Sequence, residues 1–377
     1  MSILVTNDFP PKRGGIQTYL FELWRRLPDT VVITASPKSN SEELAWDKEQ
    51  TFRIERINKK VLLPSRSLAK RIDAVAREIS APMIFIDPML PLGLIGSRLR
   101  EAPHVIVAHG AEVTFYGRVP GSKILAKKVL RSAKGVVAAG NYPAEMARKV
   151  ARTDLPILEV PPGVDVDRFT PLSADARRVA RMRFGLDPDS PLVLGLSRLV
   201  PRKGFDVVID AVKKLEGVHL AIAGTGRDRA RLEKRAESLG KRVHFLDEIA
   251  DDDLPLIHGS ADVFAMACRD RWGGLEAEGF GIVFLEAGSC AVPAVAGWSG
   301  GAHEAVADGE SGFVVDPHSV SEVSGAIDRL IGDPDLRHRM GQAARARAKA
   351  MFSYEHLAQR LSPLAAGDTS GLSRSRD

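Results

Sequence analysis

Residues 278–286 read EGFGIVFLE, a stretch in which two glutamates stand eight positions apart with two glycines between them. The glycine-rich first half predicts a loop that carries Glu278. The apolar second half predicts a helix that begins near Ile282, with Glu286 about one turn inside it. Glycine lets a backbone approach a ligand closely, and the first turn of a helix offers unpaired N–H groups to an anion. The stretch therefore indicates an anion-binding junction, although a buried junction with one solvated glutamate has the same pattern.

Short apolar runs alternate with helical periodicity along the rest of the chain. Such runs predict strands buried on both faces, and their alternation with helices is typical of an α/β fold with doubly wound parallel sheets. Ligands of these sheets bind beyond the carboxyl ends of the strands. The predicted strands are 3–5, 31–35, 83–86, 105–108, 136–139 and 158–160 in the first half, and 192–196, 220–223, 243–246, 263–266, 292–296 and 312–315 in the second.

The length of 377 residues is too great for one ordinary core and predicts two domains. A segment rich in Pro and Gly, residues 160–169, is the predicted hinge. We expect one Rossmann-like domain over 1–168 and a second over 169–352. Residues 353–377 are expected to form a C-terminal helix and a tail that is disordered from about residue 366.

Composition points to a globular protein of a reducing compartment. Hydrophobic residues make up 44% of the chain and charged residues 27%. Two cysteines, Cys268 and Cys290, give no disulfide framework. The N-terminus MSILVTNDF lacks the basic segment and long apolar run of a signal peptide, and no apolar run approaches the ~20 residues of a membrane span. These features predict a cytoplasmic protein.

Two further candidate sites follow strand ends in the first half. Gly14 and Gly15 separate the strand 3–5 from a helical pattern over 16–27, and the N–H groups of such a turn bind phosphate. His109 comes directly after the strand 105–108. Because both follow parallel strands, we expect them to face the same crevice. Either feature alone also fits a purely structural role.

A third candidate site follows the first strand of the second half, in the segment SRLVPRKG. Arg198 and Lys203 stand five positions apart in this loop. Two cations at that spacing predict a clamp for a diphosphate. Asp165 and Asp167 form a D-x-D pair of the kind that binds divalent metals, but they lie in the predicted hinge rather than at a strand end. The sequence therefore predicts no metal site.

The charge of the chain is unevenly distributed. Residues 1–170 carry 26 Lys and Arg against 18 Asp and Glu, a formal +8, and the remainder carries 27 against 30, a formal −3. A basic half indicates an anionic partner such as a phosphoinositide-type lipid, a membrane surface or nucleic acid. Residues 122–134 predict a basic helix with Lys123, Lys127, Arg131 and Lys134 on one face. This helix fits a membrane-surface contact and an ordinary solvated face equally well.

The segments NDFPPKRGGIQTYL, SRLVPRKG and EGFGIVFLE, with the later SGG, together resemble the GT-B glycosyltransferases of family 4, and the similarity covers nearly the whole chain. Within that family they resemble the actinobacterial phosphatidylinositol (monomannoside) mannosyltransferases. The family usually has HGHE where this chain has His109-Gly110-Ala111-Glu112, a departure that bears on the acceptor. The resemblance implies retaining transfer of a hexose, by preference mannose from GDP-mannose. It also implies that the N-terminal domain is on the acceptor side and that the C-terminal domain binds the donor.

The resemblance also implies roles for the candidate residues. Arg198 and Lys203 bind the donor diphosphate, Glu278 lies near the donor sugar, Glu286 accepts the ribose hydroxyls, and His109 lines the reaction centre. The distal phosphate meets the N–H groups of the glycine turn. Because cations and amides contact the phosphates, no metal or other cofactor is expected. The implied substrate-binding residues are Gly14, Gly15, Arg198, Lys203, Glu278, Gly279, Phe280, Gly281, Ile282 and Glu286.

The resemblance implies an anionic glycolipid acceptor, reached from the inner face of the plasma membrane, and no nucleic-acid partner. Two other readings stay open. One is a family-4 transferase with a soluble sugar or thiol-precursor acceptor. The other is a non-catalytic protein that binds a nucleotide or polyanion. The sequence leaves the nucleotide base, the linkage position and the oligomeric state open.

Overall fold

The computed structural model describes residues 1–12, 14–36, 41–118, 120–274 and 276–373. The chain divides into two compact units. Unit 1 comprises Met1–Pro162 and the C-terminal segment that begins at Tyr354, and unit 2 comprises Gly163–Ser353. Each unit is built on one parallel sheet, which confirms the predicted pair of α/β units.

The elements of unit 1 are seven strands and seven helices within its described residues. The strands are β1 (Ser2–Thr6), β2 (Thr30–Ser36), β3 (Arg53–Asn58), β4 (Ile84–Asp87), β5 (His104–Ala108), β6 (Gly135–Ala138) and β7 (Ile157–Glu159). The helices are α1 (Gly15–Trp24), α2 (Ser41–Lys48), α3 (Arg66–Glu78), α4 (Ala111–Arg118), α5 (Pro120–Ser132), α6 (Asn141–Ala151) and, after unit 2, α15 (Tyr354–Ala365).

Unit 2 contributes six strands and eight helices within its described residues. The strands are β8 (Leu192–Leu196), β9 (His219–Ala223), β10 (Val243–Leu246), β11 (Val263–Met266), β12 (Ala294–Gly297) and β13 (Gly312–Val315). The helices are α7 (Ala174–Arg183), α8 (Phe205–Lys213), α9 (Arg229–Ala236), α10 (Leu254–Ser260), α11 (Ile282–Ser289), α12 (Ala302–Ala305), α13 (Val320–Gly332) and α14 (Pro334–Phe352).

The sheet of unit 1 has the order β3-β2-β1-β4-β5-β6-β7, with all neighbours parallel. The interior strand β1 is buried along its length, and its apolar side chains enter two different layers. Ile3 and Val5 pack into the layer that includes α3 and α6, and Leu4 packs into the layer formed by α1 and α15. The strand order reverses between β1 and β4, which makes the carboxyl ends of these strands the expected ligand crevice.

Strand β3 is absent from the sequence-based prediction. It reads RIERIN, and its side chains are partly or fully exposed. It lies at the edge of the sheet, where Arg53 pairs with Glu78 at 2.5 Å and Arg56 pairs with Asp47 at 2.8 Å. An edge strand needs no continuous apolar run because one side of it faces solvent, so a search for buried strands misses it.

The sheet of unit 2 has the order β10-β9-β8-β11-β12-β13, again all parallel. Its six strands match the six predicted for this half within one or two residues. The order reverses between β8 and β11, so the loops that follow these strands surround the expected ligand crevice of this unit. Those loops contain SRLVPRKG and the segment that leads into EGFGIVFLE.

The chain passes between the units twice, whereas the sequence predicted a single hinge. The first division, after Pro162, lies inside the predicted hinge, a few residues before the predicted boundary at 168. The second lies after Ser353, and helix α15 belongs to unit 1. This helix buries Leu357, Leu361 and Leu364 in the layer it shares with α1. These leucines recur at i, i+4 and i+7, which gives α15 one apolar face that fits α1.

The predicted disorder of the tail is wrong for residues 366–373. Ser373 forms an antiparallel bridge to Ile157 of β7, with its amide nitrogen 3.0 Å from the carbonyl oxygen of Ile157. Leu372 packs over Gly135 of β6. Residues 374–377 lie outside the described part of the chain. Within that part, no helix is long and apolar enough to cross a membrane.

Candidate active site

The loop between β8 and α8 carries the two cations predicted as a diphosphate clamp. It forms a 3-10 turn over Pro201–Lys203 and enters α8 through Gly204. Gly204 has a φ of +71°, and a Cβ at this position would lie 1.8 Å from the carbonyl oxygen of Ala267, so only glycine fits. The turn buries Lys203 and leaves Arg198 exposed. The guanidinium of Arg198 forms no ion pair with any described residue.

Glu278 is the partner of Lys203. Its Oε2 accepts hydrogen bonds from Lys203 Nζ at 2.7 Å and from Arg202 NH1 at 2.6 Å. The thiol of Cys268 lies 3.7 Å from the same oxygen. Burial raises the pKa of the Glu278 carboxyl, but the charges of Lys203 and Arg202 outweigh burial and hold the pKa below its usual range. The carboxylate is therefore ionised and held by two cations.

The loop that carries Glu278 is fixed by the segment SGG. Ser299 Oγ accepts a hydrogen bond from the Glu278 amide at 3.1 Å and donates one to Asp270 Oδ1 at 2.6 Å. The backbone at Gly300 approaches so closely that a Cβ there would lie 2.0 Å from the carbonyl oxygen of Glu278. The amide of Gly301 also donates to that oxygen, at 2.9 Å. Ser299 therefore joins the loops that follow β11 and β12 around Glu278.

Helix α11 begins at Ile282, as the sequence predicted, and Glu286 lies just over one turn inside it. Gly279 precedes the helix, Gly281 caps it, and the buried Phe280 packs against Phe352 with a ring separation of 5.6 Å. Glu286 is partly buried. Its Oε2 lies 3.2 Å from Nε2 of His258, a fully buried side chain of α10. The contact orients the Glu286 carboxylate and occupies one of its two oxygens.

In unit 1, the glycine turn leads directly into α1. The helix begins at Gly15 with Gly14 as its N-cap, no described side chain caps it, and its first turn contains no acidic residue. Gly14, Gly15 and Ile16 are all exposed. The first N–H groups of α1 are thus open to an anion, and the absence of a nearby carboxylate in the helix keeps that end electropositive.

His109 is tied to the crevice of unit 1 by Asp87, the last residue of β4. Their Nε2 and Oδ1 atoms are 2.8 Å apart, and the other oxygen of Asp87 accepts a hydrogen bond from Thr6 at 2.7 Å. Tyr19 of α1 packs edge-on against the imidazole with a ring separation of 5.5 Å. The backbone amide of His109 donates to Glu112 at 2.7 Å. With Nε2 engaged by Asp87, Nδ1 is the ring nitrogen left for a ligand.

The environment of His109 favours its protonated form. Burial of the imidazole lowers its pKa, but the charge of Asp87 and the hydrogen bond to it outweigh burial, so the pKa of His109 is raised. The carboxyls of Glu112 and Asp8 act in the same direction. Burial raises the pKa of Glu112 itself. The imidazole of His109 is therefore suited to donate a hydrogen bond to a ligand oxygen.

The structure brings some of the predicted residues together and separates others. Lys203 and Glu278 are in contact, and Gly15 and His109 lie at the same end of the unit 1 sheet, after β1 and β5. Arg198 and Glu286 touch neither Lys203 nor Glu278 among the described contacts. Sequence reasoning missed Arg202, Asp270, Ser299, Asp87 and His258.

Two kinds of signal were available for the missed residues. Asp87 is a polar residue directly after an apolar strand, which is the same signal that identified His109. Arg202 and Ser299 lie inside quoted motifs but had no assigned role. His258 lies in a helix without any motif, so only its contact with Glu286 identifies it. Cys268 and Cys290 are buried free thiols, in agreement with the predicted lack of a disulfide, and burial raises the pKa of Cys290 to about 12.

Solved structures of similar fold place the chain among GT-B proteins. Sucrose-phosphate synthase from Thermosynechococcus elongatus superposes with a TM-score of 0.79 at 22% identity, covering 97% of this chain and 98% of that one. The Anabaena protein HepE in complex with UDP superposes with a TM-score of 0.80, also at 22% identity, covering 97% of this chain and all of the other. At this level of identity the likeness concerns the fold.

Sequence comparison gives the class. Residues 177–347 match the family described as glycosyl transferases group 1. Over 97% of its length the chain is 38% identical to a GDP-mannose-dependent alpha-(1-6)-phosphatidylinositol monomannoside mannosyltransferase from Mycolicibacterium smegmatis, of which 98% is covered. The chain thus belongs to the group 1 glycosyltransferases, and it is an enzyme of that class.

A second relative that matches over nearly its full length has a similar name. A GDP-mannose-dependent monoacylated alpha-(1-6)-phosphatidylinositol monomannoside mannosyltransferase from Corynebacterium glutamicum is 34% identical over 96% of both chains. By contrast, D-inositol 3-phosphate glycosyltransferase from Mycolicibacterium smegmatis is 37% identical but covers only 52% of this chain. The family identified from the sequence motifs is therefore confirmed.

Proposed function

We propose that this enzyme transfers mannose from GDP-mannose to a phosphatidylinositol mannoside-type glycolipid with retention of anomeric configuration. The observation that carries the proposal is end-to-end identity of 34–38% with relatives that bear this activity in their names. The chemistry of the candidate site is consistent with it, because cations, helix N–H groups and carboxylates occur at the ligand ends of the two sheets.

The donor half of the reaction needs groups that stabilise a departing diphosphate. Arg198 is exposed and forms no ion pair with any described residue, and Lys203 donates to Glu278. Both cations are positioned to bind a phosphate in the crevice of unit 2. Positive charge fixed where negative charge develops lowers the barrier most effectively. Glu278 accepts hydrogen bonds from hydroxyls of the transferred sugar. Glu286 accepts hydrogen bonds from the ribose hydroxyls through the carboxylate oxygen that does not contact His258.

The transfer itself breaks the bond between the anomeric carbon and the donor phosphate oxygen and forms a bond to the acceptor oxygen on the same face. The departing phosphate oxygen takes the proton of the acceptor hydroxyl, so no separate base is required. His109, whose protonated form Asp87 favours, donates a hydrogen bond from Nδ1 to an oxygen of a ligand in the crevice of unit 1. The open N–H groups at Gly15 lie at the same end of the unit 1 sheet and bind an anionic group there.

A lipid acceptor requires contact with a membrane surface, and we propose that helix α5 provides it. Ala126, Val129 and Leu130 of this helix are buried, but Ile124 is 72% exposed and Leu125 is 43% exposed. In the structure these two residues are exposed on the helix that also carries Lys123, Lys127 and Lys128, a combination suited to an anionic bilayer.

The test is a transfer assay with vesicles that contain phosphatidylinositol monomannoside. Purified enzyme is incubated separately with GDP-mannose, UDP-glucose and ADP-glucose, and lipid products are measured by mass spectrometry. We expect a mass increase of one hexose with GDP-mannose. A soluble acceptor that was mannosylated while the lipid was not would support the alternative transferase, and nucleotide binding without any transfer would support the non-catalytic alternative.

The two glutamates are expected to have separable effects. Glu286→Gln should weaken GDP binding by ~1.5–3 kcal/mol, or about 10–100-fold, because a charge-assisted hydrogen bond to ribose is lost. Glu278→Gln should mainly lower turnover, since its ligand is the transferred sugar. Titration calorimetry with GDP distinguishes them, and a large affinity loss confined to Glu278→Gln would reverse the two roles.

The reaction is expected to proceed without a divalent metal, because the proposed phosphate ligands are cations and amides. Transfer should therefore persist when EDTA is present in excess over any divalent metal. Loss of transfer in EDTA with recovery on adding Mg²⁺ would contradict this. Asp165 is a weak candidate even then, because its Oδ1 already accepts the backbone amides of Asp167 and Arg168 at 3.2 and 3.0 Å.

A further inference from the structure

Glu278 contacts two cationic side chains, Arg202 and Lys203, which are adjacent in the sequence but not equivalent in the structure. Both Lys203 and Arg202 donate to Oε2, and among the described residues no hydrogen bond reaches Oε1. Oε1 is thus the oxygen left for a sugar hydroxyl. The side chain of Arg202 is 18% exposed and that of Lys203 is 8% exposed, so neither is a freely solvated surface charge.

Arg202 is fixed from more than one side. Its NH1 also lies 3.4 Å from the carbonyl oxygen of Ala277, and its own carbonyl oxygen accepts the amide of Arg269 at 2.9 Å. The guanidinium of Arg269 does not compete for Glu278, because it pairs with Asp206 at 2.9 Å. Lys203, in contrast, is a point charge on a flexible stem with three donors, which allows it to turn toward a second anion.

A donor diphosphate would compete with Glu278 for the positive charge of Lys203. It brings at least two negative charges toward Lys203 and repels the carboxylate of Glu278, which favours protonation of Glu278. A protonated carboxyl is a weaker acceptor for sugar hydroxyls than a carboxylate, because charged hydrogen bonds are roughly twice as strong. Some group must keep Glu278 ionised after Lys203 has turned to the phosphates.

We propose that Arg202 is that group: it is the fixed counter-ion that positions Glu278 on the sugar, while Lys203 divides its charge between Glu278 and the donor diphosphate. The inference rests on the proposed function for the presence of a diphosphate donor. Arg202 acts through Glu278 and is a positioning residue. Among the described residues, the charged groups that act most strongly on Glu278 are Lys203 and Arg202, with the thiol of Cys268 beside them.

Kinetics of Arg202→Gln and Arg202→Lys provide the first test. Arg202→Gln keeps a hydrogen-bonding side chain but removes the charge, so kcat should fall ~10–100-fold while GDP affinity changes less than ~3-fold. The acid limb of the kcat profile should move to higher pH, because Glu278 is protonated more easily. Arg202→Lys should restore most of kcat. Arg178→Gln, which removes an exposed arginine from α7, serves as the matched control and should behave as wild type.

A double-mutant comparison separates positioning from phosphate binding. In a Glu278→Gln background, Arg202→Gln should have little further effect on kcat, because there is no carboxylate left to hold. Equal losses in both backgrounds would overturn the proposal. So would a loss of GDP affinity in Arg202→Gln with an unchanged pH profile, since Arg202 would then be a phosphate ligand.

A measurement without donor distinguishes failure of this inference from failure of the proposed function. Carbon-13 NMR of glutamate-labelled protein, with the Glu278 carboxyl assigned by Glu278→Gln, follows its titration in the ligand-free state. The pKa of Glu278 should be higher in Arg202→Gln than in wild type. An unchanged titration would overturn the role of Arg202 whatever the donor is. A wild type that transferred no sugar from GDP-mannose, with the titration shifted as expected, would overturn the proposed function alone.

Discussion

Arg198→Ala is expected to lower turnover with GDP-mannose at least ~100-fold, the usual scale for losing one preorganised charge contact to a transition state. The side chain is exposed and unpaired in the described part of the chain, so its removal leaves no buried charge behind. The melting temperature should therefore be unchanged. A single-turnover assay at saturating donor measures the chemical step directly, and near-normal transfer by Arg198→Ala would remove Arg198 from the diphosphate site.

Lys203→Ala is a less direct test of the same predicted diphosphate clamp. Lys203 is buried and donates to Glu278, so Lys203→Ala also removes a charged hydrogen bond worth ~1.5–3 kcal/mol of folding free energy. Loss of activity in that variant must be compared with its melting temperature. Arg198→Lys is a useful companion, because it keeps the charge but not the planar fork that matches a phosphate.

Loss of membrane binding is the second large effect that we expect. In the variant Ile124→Ser/Leu125→Ser/Lys127→Ser/Lys128→Ser, two lysines worth ~1 kcal/mol each near an anionic leaflet and two exposed apolar side chains are removed. Vesicle affinity should fall about 100-fold or more. GDP affinity should be unchanged, because α5 contains none of the proposed donor-binding residues. Co-sedimentation with phosphatidylinositol-containing vesicles at low and physiological salt is the measurement.

The structure changes the design of this variant. The sequence had grouped Arg131 with the lysines, but its Nε donates to the carbonyl oxygen of Ala151 at 3.0 Å and its NH2 to that of Arg152 at 3.3 Å. Arg131 thus caps the C-terminal end of α6, and its replacement would disturb the fold. It is therefore left in place.

Helix α7 supplies a matched control for the membrane experiment. It also has exposed apolar side chains, with Val179 60% and Met182 58% exposed. Its arginines, however, are neutralised, because Arg178 pairs with Asp189 and Arg183 pairs with Asp253. Val179→Ser/Met182→Ser should bind vesicles as wild type does. Vesicle binding by the α5 variant equal to wild type would make α5 an ordinary solvated face, and lack of binding by wild type at any salt would favour a soluble acceptor.

Buried strands were predictable because burial on both faces demands continuous apolar runs. Twelve of the thirteen strands in the described part of the chain correspond to such runs, and the remaining one, β3, reads RIERIN at a sheet edge. The assignment of α15 was not predictable in the same way. Its leucines specify an apolar face, but nothing in their spacing says that the partner is α1, more than 300 residues earlier in the chain.

The candidate site likewise combines features that the sequence predicts with contacts that it does not. The sequence by itself determined which residue types stand at strand ends, that Glu286 lies inside a helix and that glycines surround Glu278, because helix periodicity and the steric freedom of glycine are local properties. Only the tertiary structure decided that Lys203 is buried on Glu278 beside Arg202, that Asp87 anchors His109 and that His258 orients Glu286. These are contacts between side chains 22 to 76 positions apart. Their geometry is set by which strands pair and where the loops cross, and a linear pattern does not contain that information.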